Sequence, residues 1–224
     1  MIEKFLSEFI TLTVQNWQNA WANKAFRKSL FFALSVLIPA AAFTSFFFSY
    51  IEDSKGGIQL NDWVLKAIPA TDVSIPIIII MTSAVFMGTI RSATNPNMFI
   101  TLIWAYAFQL CFRIVTISAT RFIAPPDLII LKDPFGSLLY PSRFITRDLF
   151  YSGHTAFLFQ LYLCSTKIKD RYYFLLSTIA LGSLLLVQHV HYTIDVITAP
   201  LFALACFWLA KKVILFKNAY TELV

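Results

Sequence analysis

The chain has 224 residues, of which 58% are hydrophobic and 13% are charged, with a formal net charge of +6. Soluble domains carry roughly a quarter charged residues, so this composition, with its mean hydropathy of +0.69, excludes that class and indicates an integral membrane protein. The basic residues are scattered along the chain. This pattern argues against nucleic-acid binding and fits charges that set membrane orientation and contact anionic lipid.

The N-terminal segment, residues 1–28, mixes apolar and polar residues around Trp17 and Trp21. It lacks the compact apolar core of a cleavable signal peptide. We expect a short amphipathic helix on the cytoplasmic leaflet, with a loosely ordered tail as the open alternative. The predicted catalytic domain follows over residues 29–212, and residues 213–224 form a cytoplasmic tail.

Six stretches come close to the roughly 20 apolar residues that cross a bilayer as a helix. They cover residues 30–51, 73–90, 98–120, 149–166, 172–190 and 193–210. The fourth is the least hydrophobic of them. The sequence therefore predicts an all-α integral membrane protein built as a six-transmembrane-helix bundle, with cytoplasmic N- and C-termini.

The distribution of Lys and Arg supports this orientation. With the N-terminus cytoplasmic, eleven of them fall in inner segments, six in outer segments, and Arg113 within the third span. This matches the positive-inside bias. Four of the outer six lie between residues 121 and 148, so this outer loop is basic. The short chain favours a bacterial inner membrane over a Golgi-type membrane.

The motif QHVHYTIDV at residues 188–196 pairs a histidine with a carboxylate. His191 and Asp195 are four residues apart, so on a helix they share one face. A carboxylate bonded to an imidazole fixes its tautomer and stabilises the imidazolium, which suits a nucleophile or general base. The alternative is that Asp195 caps a helix and His191 is an interfacial polar residue. His189 faces elsewhere, as an auxiliary or interfacial residue.

The stretch DLFYSGHTAF at residues 148–157 opens the fourth span. Ser152 can cap the helix, Gly153 permits close approach of a substrate, and the first helical amides form an anion site. His154 then stands where an acid could protonate a leaving oxygen. A polar cap beside an interfacial histidine is the alternative for this tripeptide alone.

Both motifs fall on the outer face, next to the basic loop. A phosphate group there would be stabilised by Arg113, by loop arginines Arg143 and Arg147, and by the amides of residues 152–154. We include Tyr192, beside His191, among the substrate-binding residues. No histidine or cysteine pair has a usual zinc spacing, so neither a metal nor another cofactor is predicted. Cys111, Cys164 and Cys206 are read as core hydrophobes.

These two motifs resemble the signatures of the sphingomyelin synthase-like branch of the type 2 phosphatidic acid phosphatase (PAP2) superfamily. The stretch FRIVTISATRFIAPP at 112–126 resembles the R-x-x-T-x-x-x-T segment of that branch, through Arg113, Thr116 and Thr120. The resemblance covers roughly residues 30–212. It implies that His191, held by Asp195, attacks a lipid phosphodiester to form a phosphohistidine.

The same resemblance implies that His154 protonates the leaving diacylglycerol and that a lipid alcohol such as ceramide takes the phospho-headgroup, without a metal. The phosphatases of the superfamily carry K-x6-R-P, P-S-G-H and S-R-x5-H-x3-D. This chain has no Arg-Pro dipeptide, Tyr151 precedes its SGH, and Leu184 and Leu185 replace Ser-Arg. The missing cations favour a phosphodiester, which carries one fewer charge than a monoester.

The predicted function is therefore transfer of a headgroup from a phospholipid donor to a lipid alcohol acceptor, ceramide or diacylglycerol. The alternative is a PAP2-type lipid phosphatase that uses the same histidines with water as acceptor. A non-catalytic membrane subunit is a third possibility, against which the intact set of His154, His191 and Asp195 argues.

Overall fold

The computed structural model describes residues 2–131 and 145–219, with side chains for 9–131 and 145–214. Within these ranges the chain forms eight helices and no strand. They are α1 (Ile2–Ala22), α2 (Lys24–Asp53), α3 (Trp63–Ala67), α4 (Ser74–Thr94), α5 (Pro96–Thr120), α6 (Gly153–Cys164), α7 (Ile168–Val187) and α8 (Thr193–Ala219). Five of these, α2, α4, α5, α7 and α8, are long and apolar enough to cross a membrane. This is consistent with an integral multi-pass membrane protein.

Local capping signals set several helix starts. The side chain of Asn23 accepts hydrogen bonds from the first amides of α2. Asn95 does the same for α5, which has Pro96 in its first turn. Both follow the usual preference for a short polar cap and for proline just inside a helix. A single residue, Asn23, therefore separates α1 from α2.

The fourth predicted span differs from the structure. Helix α6 has 12 residues, about 18 Å, because residues 145–152 are not helical. Other elements bind the backbone of this segment: Glu52 accepts from the amides of Thr146 and Arg147, at 2.9 and 3.1 Å, and Thr116 donates to the carbonyl of Phe150 at 2.8 Å. Non-helical backbone is tolerated at membrane depth when protein groups satisfy it. The six-span count and the orientation of the termini stay predictions.

Helix α5 lies centrally and packs against α2, α6 and α8. Small residues let the helices approach closely, as is common in membrane bundles. A Cβ at Gly88 would lie 2.7 Å from a methyl of Leu161, and a Cβ at Gly182 would lie 2.8 Å from a methyl of Val196. These contacts bring α4 against α6 and α7 against α8.

At one end of the bundle, four connecting segments pack together, and we name this region the cap. It comprises residues 54–73, 121–131, 145–152 and 188–192. Ile58 pairs with Phe122 in a parallel bridge, and the amide of Ile129 donates to the carbonyl of Gln188 at 3.2 Å. The cap therefore joins the ends of six helices: α2, α4, α5, α6, α7 and α8.

Helix α1 packs on the other end of the bundle, which we call the opposite end. The indole of Trp17 donates to the carbonyl of Ala93 at 2.6 Å and lies edge-on to Phe99, with 5.3 Å between ring centroids. The N-terminal segment thus contains a helix. Its location on the cytoplasmic leaflet and the predicted domain boundaries stay predictions.

Candidate active site

His191 and Asp195 meet at the start of α8. The Nδ1 atom of His191 lies 3.3 Å from Oδ2 of Asp195, and the same oxygen accepts a hydrogen bond from the amide of Tyr192 at 3.0 Å. In return, the amide of Asp195 donates to the carbonyl of Tyr192 at 3.0 Å. The bond from the Tyr192 amide to the Asp195 side chain is one half of a capping box, with aspartate in the usual place of Glu or Gln, and the other bond is made by the backbone carbonyl of Tyr192. Asp195 therefore caps the helix and orients the imidazole at once.

The pair is buried, and its carboxylate has few hydrogen-bond partners. His191 is 3% exposed and Asp195 is fully buried. The second carboxylate oxygen, Oδ1 of Asp195, makes no hydrogen bond within the described part of the chain. A buried carboxylate with few partners stabilises a cation beside it strongly, because the interior screens charge weakly. With Nδ1 held by Asp195, Nε2 is the ring nitrogen that this contact leaves for another partner.

The SGH motif is bonded directly to this pair. The amide of Ser152 donates to the carbonyl of Asp195 at 3.1 Å, which fixes the start of α6 against the first turn of α8. The hydroxyl of Ser152 lies 3.0 Å from that of Thr155 and accepts a hydrogen bond from the Thr155 amide at 3.4 Å. Ser152 and Gly153 are buried, whereas His154 in the first turn of α6 is half-buried. Two motifs far apart in sequence thus form one site.

Arg113 lies against the first residue of α6. A Cβ at Gly153 would overlap the guanidinium of Arg113, so the glycine makes this approach possible. The carbonyl of Gly153 accepts a hydrogen bond from the Gln109 side chain at 3.2 Å. Arg113 also forms an ion pair with Asp148 and lies over the ring of Phe48. The predicted arginine is therefore beside the SGH turn, and its contact with phosphate stays a prediction.

Tyr192 is fully buried in the cap. Its hydroxyl donates to the carbonyl of Ile123 at 3.0 Å and accepts a hydrogen bond from the amide of Leu60 at 3.3 Å. Burial raises the pKa of this hydroxyl, so it stays a hydrogen-bond donor. In this structure Tyr192 ties the segment before α8 to two other cap segments, and its predicted role in substrate binding is untested.

Arg147 and Arg143 are the two loop arginines predicted to bind phosphate. The guanidinium of Arg147 donates to the hydroxyl of Ser54 at 3.1 Å and to the carbonyl of Gly56 at 2.8 Å. These bonds attach it to the segment after α2. Arg143 lies outside the described residues. Phosphate binding by both arginines stays a prediction.

His189, predicted as an auxiliary or interfacial residue, is buried in the cap and links its segments by hydrogen bonds. Its ring nitrogens lie 3.0 Å from the carbonyl oxygen of Pro126 and 2.9 Å from that of Ile68. Its backbone has a φ of 56°, a left-handed conformation that is uncommon outside glycine but enriched in histidine. His189 therefore joins three cap segments through a single side chain.

Asp62 is a positioning residue that the sequence analysis missed. Its carboxylate accepts hydrogen bonds from the amides of Val64 and Leu65 at the start of α3, at 3.0 and 3.2 Å. It also accepts from the amide of Thr193 at 2.6 Å and from its hydroxyl at 3.0 Å. One carboxylate thus caps two helices, and the second is the helix that follows His191. Aspartate before a short apolar run is a local capping signal, but nothing local points to the partner at residue 193.

The ionisation of Asp62 reflects these contacts. Partial burial works against its charge, yet the hydrogen bonds from Thr193, Leu65 and Val64 together hold the pKa of the carboxyl below its ordinary value of 3.8. Asp62 is therefore charged at neutral pH, when it binds α8 most firmly.

Among the described residues, no three His, Cys, Asp or Glu side chains are grouped so that they could hold a metal ion. The three cysteines are free thiols, with Cys164 and Cys206 buried and Cys111 half-buried. The described ionisable side chains near the SGH turn and the start of α8 are those of His191, Asp195, Arg113, Asp148 and His154.

Comparison with known proteins gives one match. Residues 147–212 match the family model described as PAP2 superfamily C-terminal. Neither a curated protein nor a solved structure matches the chain. The matched segment contains the SGH turn, His191 and Asp195, and it leaves the sphingomyelin synthase-like branch a prediction. The match supports the PAP2 superfamily for this chain.

Proposed function

We propose that this protein is a membrane-embedded phosphotransferase that moves a phospho-headgroup from a glycerophospholipid to a lipid alcohol, ceramide or diacylglycerol. The hydrogen bond between the Ser152 amide and the Asp195 carbonyl carries the proposal, because it joins the SGH turn to the His191–Asp195 pair. The match of residues 147–212 to the PAP2 family model is consistent with lipid phosphatase or phosphotransferase activity.

The first half-reaction moves the headgroup onto the enzyme. Nε2 of His191 attacks phosphorus while the bond between phosphorus and the diacylglycerol oxygen breaks. His154 gives a proton to that oxygen, so neutral diacylglycerol leaves. Asp195 stabilises the positive charge that develops on the imidazole as the phosphohistidine forms.

The second half-reaction reverses these roles. The hydroxyl of the acceptor attacks phosphorus of the phosphohistidine, and His154 takes the hydroxyl proton as the new oxygen–phosphorus bond forms. The bond between phosphorus and Nε2 breaks, and the imidazole of His191 returns to its starting state. The sum is one phosphodiester exchanged for another, with no net consumption of water.

The charge around the site favours a phosphodiester over a phosphate monoester. Arg113 is paired with Asp148, so its charge is already compensated. The guanidinium of Arg147 keeps its charge, but it is held by the hydroxyl of Ser54 and the carbonyl of Gly56. A diester carries one negative charge and needs less neutralisation. The low exposure of His191 also limits access of bulk water to the phosphohistidine.

A PAP2-type lipid hydrolase is the second candidate, because half-buried His154 could present water in place of an alcohol. The two functions separate in one assay. The protein in lipid nanodiscs receives phosphatidylcholine or phosphatidylethanolamine with a labelled headgroup, together with ceramide or a distinguishable diacylglycerol. Mass spectrometry then follows the products for the wild type and for His191→Ala.

Transfer predicts a new lipid that bears the labelled headgroup and is absent with His191→Ala. Release of free phospho-headgroup or phosphate without a new lipid would favour the hydrolase. A new lipid formed equally by His191→Ala would contradict the role of His191 in both functions.

A further inference from the structure

An open cavity of about 480 Å³ lies at the opposite end of the bundle. It is bounded by α1, by the turn between α4 and α5, and by the turn between α6 and α7. Its volume is in the range of small-ligand sites. The other ends of α4, α5, α6 and α7 meet at the cap, so the cavity is separate from His191 and His154.

The polar lining of this cavity is rich in hydrogen-bond donors. Asn16 and Asn19 line it from α1, and Asn97 and Lys167 line it from the two turns. Each asparagine offers two donors and a carbonyl oxygen, and the lysine offers three donors. Such a set can bind both phosphate oxygens and hydroxyl groups.

The charge of the lining suits a monoanion. Arg91 and Asp170 form an ion pair there, with Nε–Oδ2 and Nη2–Oδ1 distances of 2.7 and 3.0 Å. This pair is close to neutral, which leaves Lys167, an exposed side chain, as the added positive charge. One net positive charge matches the single negative charge of a phosphodiester.

The α1 wall adds an apolar edge. Phe9 and Leu12 line the cavity and are 41% and 57% exposed. Ile10 and Val14, on another face of α1, are 59% and 48% exposed. An amphipathic helix with such residues lies in the membrane interface with its apolar side toward the acyl chains. The cavity would then open at the level of the lipid headgroups.

We propose that this cavity binds the headgroup of an anionic phospholipid, whose phosphodiester contacts Lys167 and whose headgroup hydroxyls bond to the asparagines. The acyl chains lie along the exposed apolar side chains of α1. This lipid is a resident of the opposite end and is not a substrate, so the inference does not depend on the proposed function.

The test compares two neighbouring lysines. Lys167 lines the cavity, whereas Lys169 is exposed and does not. The side chain of Lys167 makes no capping hydrogen bond to α7, so its replacement leaves the helix start intact. Wild type, Lys167→Gln and Lys169→Gln are titrated in neutral detergent with dioleoyl phosphatidylglycerol, dioleoylglycerol or sodium phosphate. Native mass spectrometry reads bound lipid, and thermal unfolding reads stabilisation and confirms folding.

We expect phosphatidylglycerol to bind and to raise the unfolding temperature, with affinity about fivefold weaker in Lys167→Gln and unchanged in Lys169→Gln. Dioleoylglycerol lacks the phosphate and is also a ligand of the proposed active site, so its binding should be the same in wild type and in Lys167→Gln. Equal affinities for phosphatidylglycerol in the two lysine variants, or a fivefold loss of dioleoylglycerol affinity in Lys167→Gln, would overturn the proposal. Stabilisation by sodium phosphate through Lys167 without binding of phosphatidylglycerol would also overturn it, in favour of a soluble phosphate ligand.

Discussion

The two ends of the bundle use their polar side chains in different ways. At the cap end, Asp62 and His189 of the cap and Glu52 at the end of α2 bind backbone groups of neighbouring segments, so their polar atoms hold the cap together. At the opposite end, asparagines and Lys167 line open space beside a single ion pair. The cap segments are therefore held in fixed positions, as the proposed chemistry requires, whereas the open cavity has the room that the proposed lipid headgroup requires.

The largest expected effect is on the rate of headgroup transfer at the cap end of the bundle. His191→Ala and Asp195→Asn should each lower headgroup transfer by about 10³-fold or more, because the first removes the nucleophile and the second removes the charge that orients it. The product lipid is quantified by mass spectrometry at equal amounts of folded protein. Asp127→Asn is the control, since Asp127 is an exposed cap aspartate in a left-handed conformation that asparagine also adopts. Unchanged transfer by Asp195→Asn would contradict the proposed mechanism.

The ion pair at the opposite end should govern stability instead of activity. Arg91→Ala leaves Asp170, which is 4% exposed, without its partner. Breaking a buried pair costs roughly 3–5 kcal/mol, and the partial exposure of Arg91 places the expected loss near the lower figure. Unfolding in detergent measures this loss, with Lys169→Ala as the exposed control.

Arg91→Ala also tests whether a change at the opposite end of the bundle affects activity at the cap end. Transfer activity per folded molecule should be unchanged in Arg91→Ala, because the pair lies away from His191. Combining Arg91→Ala with Asp170→Ala should recover part of the stability, since no buried charge remains. A wild-type unfolding temperature for Arg91→Ala would show that the pair contributes nothing.

The sequence predicts much of the site, and the features that it does not predict depend on contacts between distant residues. The spacing of His191 and Asp195 predicts their contact, yet His191 precedes α8 and the contact arises through capping instead of a shared helix face. The composition of residues 149–166 predicts a full span, but the backbone of 145–152 finds its hydrogen bonds in Glu52, Thr116 and Asp195 instead of in a helix. Such partners are distant in sequence and give no local signal.

Disturbing the contact between Arg113 and the SGH turn should have a smaller effect on transfer activity. In Gly153→Ala the new methyl group displaces the guanidinium of Arg113 and shifts the start of α6. Misplacing a catalytic group by about 1 Å can cost roughly 10²-fold in rate, so we expect a loss of that order.

A double-mutant cycle checks the cause of that loss. If Gly153→Ala acts through Arg113, the double variant Gly153→Ala/Arg113→Ala should lose much less than the sum of the two single effects. Ser118→Ala, a small change on an exposed face of α5, is the control. Additive losses would contradict the assigned contact.

The smallest effect concerns Asp62 and pH. Because its pKa is below the ordinary value in the folded protein, its stabilisation is present above that value and is lost as the pH falls through the folded pKa. Asp62→Asn should therefore be less stable than wild type by about 1 kcal/mol at neutral pH, because asparagine keeps an acceptor oxygen but loses the negative charge at two helix N-termini. The difference in unfolding temperature between wild type and Asp62→Asn should become smaller below about pH 4, near the ordinary aspartate pKa. A gap independent of pH would contradict this account, and Asp127→Asn is the control.

The most direct test of the central claim is to locate the headgroup on the enzyme. The protein in nanodiscs is exposed briefly to a donor phospholipid with a labelled headgroup, without acceptor, and is quenched at alkaline pH, which preserves phosphohistidine. Peptide mass spectrometry then reads the labelled residue, before and after addition of ceramide or diacylglycerol. The account predicts a label on His191 that disappears as the new lipid forms. A label on another residue, or transfer without any enzyme-bound label, would contradict it.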